Sequence, residues 1–405
     1  MPGPVPLPRR PGREMSGERN QLPGEAVGWD VGLEWPGLPS LPGDVTADAC
    51  VVGLGASGLA AVEAFAARGL SVLGVDAGRV AAGAAGRNGG FLLGGPAPFL
   101  HAALAAWGLP AVELYRATLA ELARLRELLG EQVVRPVGSV RLAGLPGEPV
   151  DDAEAADRER ELADIAAHAA ALRDAGIAVA DYDGPLGRGI LLPDDAATNP
   201  AVRATALARL AGDRARLFEH TPVVEVTPGR VVTGRGVVSA GVVVVAVDGR
   251  LDALLPQLAP RVRTARLQML ATAPLAPGLV PCPVYGRWGY DYLQQLPDGR
   301  LFAGGGRDRF ADAEWTHDTA PTSGVQAWIE HVARRVAGGP VEVTHRWAAS
   351  AGFTGDGRPL CTLVDRDVVA VGGYSGTGNL VGPVAARAAV ALACDGTPPP
   401  AWASA

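Results

Sequence analysis

Three glycines, Gly53, Gly55 and Gly58, have the G-x-G-x-x-G spacing that nucleotide-binding turns require. A predicted strand (49–52) precedes them, a predicted helix (59–68) follows, and Asp76 ends a second predicted strand (71–75). In this setting the glycines allow a tight turn, close approach of the backbone to a pyrophosphate and packing of the helix on the sheet. The helix N-terminus attracts the phosphates, and the carboxylate accepts hydrogen bonds from ribose hydroxyls. The predicted site residues are Gly53, Gly55, Ala56, Ser57, Gly58, Asp76 and Ala77.

This motif predicts an ADP-containing cofactor without choosing between FAD and NAD, because both place an ADP moiety at such a turn. A chain with 54 glycines also produces the spacing by chance. The strand, the helix and the acidic residue around the motif favour the functional interpretation.

Composition excludes several other classes of function. The chain has 405 residues, of which 48% are hydrophobic and 20% charged, as is typical of a globular protein. Its net charge of -7 argues against a nucleic-acid partner. The longest apolar run, 242–247, is far shorter than the roughly 20 residues of a membrane span, so we expect no span and a cytoplasmic location.

Cysteines and histidines show no pattern typical of metal ligands. The four cysteines lack CxxC spacing and the six histidines lack paired spacing, which predicts buried free thiols and no metal site. Residues 1–45 are rich in proline and glycine, so we expect an N-terminal extension that wraps the surface or is loose. Arg9 and Arg10 precede no hydrophobic segment and do not indicate an export signal, and either Met1 or Met15 is the start.

Beyond the opening βαβ unit, the pattern predicts two separated groups of strands. Helices are predicted over 113–129, 152–174 and 200–211, and strand material over 133–142 and, in three runs, over 223–247. Residues 261–343 read as strands with turns, including a hairpin of 290–296 with 301–304 around Asp298 and Gly299. A last strand (368–371) leads through a glycine-rich turn into a helix (384–393).

Several short segments, in this order, carry a resemblance to a known family. They are the βαβ opening, 83–90 (GAAGRNGG), 219–223 (EHTPV), 304–308 (GGGRD), 354–359 (TGDGRP) and 372–378 (GGYSGTG). Over about 48–396 the chain resembles the D-amino acid oxidase superfamily of FAD-dependent oxidoreductases, particularly bacterial glycine oxidase and gamma-glutamylputrescine oxidase.

The resemblance implies FAD and extends the cofactor site. Gly86, Arg87, Asn88, Gly89 and Gly90 would form a loop that runs past the pyrophosphate toward the flavin. Val223 would bind adenine through its main chain, although a core valine fits the sequence equally well. The last glycine-rich turn would aim backbone N–H groups at the flavin N1 and C2 carbonyl, with Thr377 where relatives often carry His. Its residues are Gly373, Gly376, Thr377, Gly378 and Asn379. No cysteine lies in a recognisable attachment segment, so we expect non-covalent FAD.

The resemblance also implies oxidation of a C–N bond by hydride transfer to flavin N5, giving an imine that water hydrolyses. Tyr290 and Tyr292 are candidates for the substrate pocket wall and Arg287 for pairing with a substrate carboxylate, although strand tyrosines are more often packing residues and a lone arginine is more often a surface charge. Residues 348–353 lack the arginine of amino-acid-oxidising relatives, and Gln294 stands where amine-oxidising relatives commonly have arginine. Every basic residue is arginine, so no lysine activates dioxygen, and oxidase and dehydrogenase both stay open.

The predicted fold class is α/β: a Rossmann-type FAD-binding domain, with a parallel sheet and a small antiparallel sheet, interleaved with an α+β substrate domain on a mostly antiparallel sheet. We assign 46–100, 190–260 and 345–400 to the first domain and 101–189 and 261–344 to the second. The predicted partners are a small amine or amino acid and either dioxygen or an electron carrier. The alternatives are an NAD-dependent dehydrogenase and a non-catalytic flavin-binding subunit of a larger complex.

Overall fold

The computed structural model describes residues 26–404, which form two large sheets with helices packed on them. The helices are α1 (Ala56–Ala66), α2 (Ala84–Arg87), α3 (Leu100–Trp107), α4 (Pro110–Leu129), α5 (Asp152–Asp174), α6 (Pro200–Gly212), α7 (Leu251–Leu254), α8 (Ala311–Glu314), α9 (Ser323–Ala337) and α10 (Gly378–Asp395). The strands are β1 (Val45–Val52), β2 (Val72–Val75), β3 (Phe91–Leu92), β4 (Ser139–Leu142), β5 (Ala180–Gly184), β6 (Gly187–Leu192), β7 (Ala196–Ala197), β8 (Arg216–Phe218), β9 (Val223–Thr227), β10 (Arg230–Thr233), β11 (Gly236–Val245), β12 (Val262–Pro274), β13 (Val284–Gly286), β14 (Asp291–Gln295), β15 (Arg300–Gly305), β16 (Val343–Thr354), β17 (Leu360–Asp365) and β18 (Val368–Gly372).

The first sheet has a parallel core in the order β18-β11-β1-β2-β8. Strand β17 pairs antiparallel with β18 at one edge, and β9 and β10 add a small antiparallel extension to β11. In this register Val52 lies opposite both Val75 and Val245, so the carboxyl ends of β1, β2 and β11 are level. The Rossmann-type layer predicted from the sequence is confirmed, and its ligand edge is where such sheets bind nucleotides.

The second sheet has the order β16-β12-β15-β14-β13-β4-β6-β5 and is antiparallel except between β13 and β4. Side chains on β14 alternate between its two faces. Leu293 packs with the α9 side of the sheet, whereas Tyr292 lies on the face toward the first sheet. The mostly antiparallel second sheet is therefore confirmed, and one of its faces is directed at the nucleotide layer.

Helix α9 corrects the expectation that 261–343 holds only strands and turns. Its buried apolar residues recur at helical spacing and pack against the second sheet: Val325, Ile329, Val332, Ala333 and Val336. The strand expected over 133–142 is also shorter, since it covers Ser139–Leu142 and Arg135 makes an isolated bridge to Ala197. Of the cysteines, Cys50, Cys282 and Cys361 are buried as expected, but Cys394 is exposed.

The division into domains stays a prediction. The strand pairing concerns one predicted boundary, the one at residue 345. Strand β16 pairs along most of its length with β12 in the second sheet, although the sequence division assigned 345–400 to the FAD-binding pieces. The chain then returns to the first sheet at β17 and β18. Residues 345–354 therefore pair with the substrate-side sheet.

The N-terminal segment is more deeply packed than expected. Trp29 is fully buried, stacks on Phe302 at 3.7 Å between ring centroids, and donates its indole N–H to the Asn88 carbonyl. The expectation of a loose or surface segment is therefore wrong at Trp29. Burial of so large an aromatic side chain stabilises the packing of the segment against the second sheet. Residues 1–25, including Arg9, Arg10 and both candidate start methionines, lie outside the described part of the chain.

Glu219 holds this segment against the first sheet. It directly follows β8 and is 1% exposed, and its carboxylate accepts hydrogen bonds from Trp35 Nε1, the Leu38 N–H and the Val80 N–H. A buried carboxylate is stabilised when several donors converge on it. Glu219 thus joins three separated stretches of the chain near the ligand edge.

We expect Glu219→Gln to lower the free energy of unfolding by about 2 kcal/mol, because an amide NH2 would face at least one of these buried donors. The midpoint of urea unfolding measures the effect. The control Glu225→Gln lies on exposed β9 and should stay within about 0.5 kcal/mol of the wild type. Equal midpoints for both variants would contradict the role given to Glu219.

Candidate active site

A cavity of about 3340 Å³ separates the ligand edge of the first sheet from the facing side of the second. Most residues predicted to bind the cofactor line it: Gly53, Gly55, Ala56, Ser57, Asp76, Ala77, Arg87, Asn88, Gly89, Val223, Gly376, Thr377, Gly378 and Asn379. The candidates for the substrate pocket, Tyr290, Tyr292 and Arg287, line the same cavity. The structure therefore brings both predicted sets together.

Gly58, Gly86, Gly90 and Gly373 lie behind the cavity wall, where they permit close packing. A methyl group at Gly58 would lie 1.7 Å from the Gly53 carbonyl oxygen, and one at Gly86 would lie 2.2 Å from the Ala81 oxygen. Gly53 itself has a φ of 96°, and a methyl group added there would lie 2.7 Å from the Ala246 carbonyl oxygen. Glycine is required at these points by sterics.

Two helix N-termini open onto the cavity without a capping side chain. Helix α1 begins after Gly55 and α10 after Thr377, and neither N-cap residue makes a side-chain cap hydrogen bond. The first backbone N–H groups of a helix lack partners within the helix and carry partial positive charge. Each terminus can therefore bind an anionic or acceptor group, one at either end of an elongated ligand.

Asp76 supports the turn before α1 from the end of β2. Its carboxylate accepts the Leu54 N–H at 2.8 Å and the Gly78 N–H at 2.9 Å, and it also lines the cavity. Burial raises the pKa of Asp76, and the two backbone hydrogen bonds oppose that shift. The remaining lone pairs of its oxygens can accept hydrogen bonds from ribose hydroxyls, as its position in the motif predicts.

Asn88 and Asn379 hold the loop after α2 against the start of α10. Asn88 Nδ2 donates to Asn379 Oδ1, and Asn379 Nδ2 donates to Asn88 Oδ1 at 2.9 Å. Arg203, which is fully buried, donates to both the side-chain and the main-chain oxygen of Asn379. Both asparagine side chains are thus engaged with protein groups, so their contribution to a cofactor is to shape the loop.

Arg87 retains donors that no described residue uses. One guanidinium nitrogen donates to the Ala348 carbonyl at 3.0 Å, and the buried Nε has no partner among the described residues. The Arg87 carbonyl accepts the Trp347 indole N–H. Burial lowers the pKa of Arg87, so an anion in the cavity would stabilise its charge.

Asp248 joins the two sheets at the floor of the cavity. It lies past the carboxyl end of β11, and its carboxylate accepts the N–H groups of Gly352, Gly373 and Tyr374 at 3.1, 2.9 and 3.3 Å. Burial raises the pKa of Asp248 to about 6, against the effect of these hydrogen bonds. Sequence analysis missed this residue because its three partners are more than 100 positions away along the chain.

Aromatic side chains on the second sheet form the wall opposite the cofactor loop. Tyr285 and Tyr292 lie 5.9 Å apart between centroids, and Phe91 contacts both edge-on. The Tyr292 ring lies over Gly89, where an added methyl group would come within 3.2 Å of it. Gln294 Nε2 donates to the Gly89 carbonyl at 2.7 Å, so this wall is fixed directly on the predicted cofactor loop.

Arg287 lines the cavity but is already paired with two carboxylates. Its Nε donates to Asp291 at 2.5 Å, and its two terminal nitrogens donate to Asp308 at 3.1 and 2.7 Å. Arg141 stacks on Tyr285 and Arg307 lies against several aromatic rings, and sequence analysis named neither as a site residue. The signal for Arg307 was its position in the 304–308 segment, directly after three glycines.

Comparison with known proteins agrees with this geometry. The family model described as FAD dependent oxidoreductase matches residues 48–392. The chain belongs to this family. It is 28% identical over 370 residues to probable oxidoreductase OrdL of Rhizobium meliloti (strain 1021), covering 86% of this chain and 83% of the relative. It is 27% identical over 361 residues to gamma-glutamylputrescine oxidoreductase of Escherichia coli (strain K12), covering 82% and 80%.

Solved structures share the fold at lower identity. Glycine oxidase from Geobacillus kaustophilus superposes with a TM-score of 0.66 at 20% identity, covering 86% of this chain and 94% of that one. L-proline dehydrogenase from P. horikoshii gives a TM-score of 0.67 at 18% identity, covering 90% and 96%. The resemblance on which the sequence analysis relied is therefore confirmed.

The cavity fits FAD, the cofactor of this family of FAD dependent oxidoreductases. The α1 N-terminus and Asp76 suit the pyrophosphate and ribose, and α10 offers uncapped N–H groups at the other end. Gly376 has a φ of 95° and open space where a side chain would project. None of the described residues that line the cavity is cysteine. Among described residues no group of His, Cys, Asp and Glu could hold a metal ion, and no helix is long and apolar enough to cross a membrane.

We expect Asp248→Asn to weaken FAD binding about tenfold, because the amide would leave at least one of three buried N–H groups without an acceptor. Each unpaired buried N–H group costs roughly 1–3 kcal/mol. Quenching of FAD fluorescence on titration gives the apparent Kd. The control Asp367→Asn is exposed and, like Asp248, has a positive φ that asparagine tolerates. Unchanged affinity in Asp248→Asn, with normal folding by circular dichroism, would refute the role of this joint.

Proposed function

We propose that this chain oxidises the C–N bond of a small amine or amino acid by hydride transfer to flavin N5, giving an imine that water hydrolyses to a carbonyl compound. The observation that carries the proposal is the contact between the aromatic wall and the cofactor loop at Gly89. A substrate held against Tyr285 and Tyr292 would lie next to that loop. Positioning of this kind, together with exclusion of water, is what the protein contributes in flavin chemistry.

The cavity holds arginines, and an uncharged amine is favoured beside them. Arg87, Arg141 and Arg307 line it, and burial lowers the pKa of Arg87 and Arg307. A bound ammonium group would be repelled by these guanidinium groups, so its pKa would fall and the neutral amine would be favoured. A neutral amine has the lone pair that assists departure of hydride from the adjacent carbon. The proposal therefore requires no side-chain base.

Printed names of relatives support an amino substrate and leave the electron acceptor open. The similar proteins include a gamma-glutamylputrescine oxidoreductase, a glycine oxidase and an L-proline dehydrogenase. Because both an oxidase and a dehydrogenase have this fold, either dioxygen or an electron carrier reoxidises the flavin in our proposal. We place the activity in the cytoplasm, as the sequence analysis did.

We expect FAD-reconstituted protein to bleach near 450 nm when it is mixed anaerobically with one class from a panel of primary amines, secondary amines and D- and L-amino acids. Readmitted air should then restore the colour of an oxidase within seconds and of a dehydrogenase far more slowly. Visible spectra record both steps. A yellow protein that no amine bleaches would favour the alternative of a non-catalytic flavin-binding subunit.

We expect Tyr292→Phe to change the rate of flavin reduction less than about threefold, because the hydroxyl makes one hydrogen bond to the described residues, with the Gln268 carbonyl at a long 3.4 Å. Tyr292→Ala should slow reduction at least about tenfold, since it removes the ring that forms the wall. Anaerobic stopped-flow spectra measure the rate. Tyr182, on β5, does not line the cavity, so Tyr182→Ala is the control. A large loss in Tyr292→Phe would instead assign chemistry to the hydroxyl.

A further inference from the structure

Arg307 is held in the cavity by a crowded glycine turn at the end of β15. Gly306 has a φ of 71°, and its N–H donates to the Tyr290 carbonyl at 3.0 Å and to Asp291 at 3.1 Å. A methyl group at Gly305 would lie 2.3 Å from Asp291 Oδ1, so only glycine fits. The backbone of Arg307 is therefore fixed before its side chain makes any contact.

Aromatic rings surround the Arg307 guanidinium. Its Cζ lies 5.8 Å from the ring centroid of Tyr290, 5.1 Å from Trp315 and 4.6 Å from Phe353. All four side chains line the cavity. Rings attract the cation through their π faces and leave the N–H donors at its edge for a ligand.

The nearby carboxylates are already paired with other arginines. Asp308 binds Arg287 through two hydrogen bonds, and Glu314 forms a buried ion pair with Arg266 at 2.8 Å. The Arg307 guanidinium makes no hydrogen bond or ion pair with any residue in the range 26–404, where its contacts are with aromatic rings. Burial lowers its pKa, so its charge is incompletely compensated.

This ring cluster borders the turn that is predicted to hold the flavin. Phe353 forms an antiparallel bridge with Tyr374, and the Thr354 N–H donates to Ser375 Oγ at 3.4 Å. Gly376, Thr377 and Gly378 follow directly and line the same cavity. A ligand that binds Arg307 would therefore lie beside this turn, on the second-sheet side of the cavity.

We propose that Arg307 binds a carboxylate of the substrate and that the rings of Tyr290, Trp315 and Phe353 pack against the apolar part of the same molecule. The substrate is then an amino acid or another amine that carries a carboxylate and an apolar group. This proposal rests on the proposed function, since it names the substrate class of that site. A carboxylate fits because its two oxygens match the paired donors of a guanidinium edge.

Arg307 takes the role that the sequence analysis gave to Arg287. Two carboxylates neutralise Arg287, and an anionic substrate would have to displace one of them. The cofactor pyrophosphate is also an anion, but the N-terminus of α1 suits it on the opposite, first-sheet side of the cavity. Loss of the Arg307 charge should therefore weaken carboxylate binding and leave FAD affinity unchanged.

The test compares phenylacetate with phenylacetamide, a neutral compound of the same shape, on FAD-reconstituted protein. Isothermal titration calorimetry measures both affinities, and it needs no catalysis. We expect the wild type to prefer phenylacetate at least about tenfold, as a charge-assisted hydrogen-bonded pair predicts. Arg307→Met should lose the preference and Arg307→Lys should retain part of it. The matched control is Arg366→Met, which removes an exposed charge.

Several outcomes would overturn the assignment. In the wild type, these are equal affinities for phenylacetate and phenylacetamide, or no binding of either compound. In Arg307→Met, they are an unchanged preference for phenylacetate, or a lower FAD affinity while that preference persists. Failure of the proposed function gives a different result. A protein that binds phenylacetate through Arg307 but whose flavin no amine bleaches would support the carboxylate site and contradict the proposed oxidation.

Discussion

The hydrogen bonds that converge on Asp248 are the interaction on which the active-site cavity depends. One carboxylate at the end of β11 binds backbone N–H groups from β16 in the second sheet and from the turn after β18 in the first. The two sheets are built from interleaved stretches of chain, so their relative position has to be fixed where the stretches meet. Gly352 and Gly373 approach so closely here that side chains would not fit. The cavity has a defined width because this joint sets the separation of its walls.

Charge is distributed unevenly around that cavity. On the second sheet, Arg287 and Arg266 are each neutralised by buried carboxylates, whereas Arg307 is surrounded by rings. Buried ion pairs of the first kind fix loop geometry more than they stabilise the fold, because desolvation offsets much of their attraction. A buried guanidinium that is surrounded by rings, as in Arg307, has lost hydration without gaining an ion pair, so binding of an anion would stabilise it. The same contrast distinguishes structural arginines from a candidate ligand-binding arginine among chemically identical side chains.

Local patterns predicted much of the fold. The glycine spacing at 53–58 with its flanking strand, helix and Asp76 predicted the nucleotide turn, and the Asp298-Gly299 turn predicted the hairpin of β14 and β15. Helix α9 was missed although Val325, Ile329, Val332 and Val336 have helical spacing, because the surrounding strands dominated the interpretation of 261–343. Trp29 was missed for another reason. Its partner Phe302 is 273 positions away, and nothing near Trp29 in the sequence distinguishes a buried tryptophan from an exposed one.

By itself, the sequence determined the type of the cofactor turn, the residues that must be glycine there, and the family, because each depends on short-range spacing and backbone sterics. Only the tertiary structure decided which polar side chains are available to a ligand. Among residues 26–404, Asn88 and Asn379 hydrogen-bond to each other, the Arg287 guanidinium is paired with carboxylates and the Arg307 guanidinium is not. These differences arise from contacts between residues far apart in the chain. Whether a buried charge is compensated depends on the residues that surround it in three dimensions, and the spacing of residues along the sequence does not predict those neighbours.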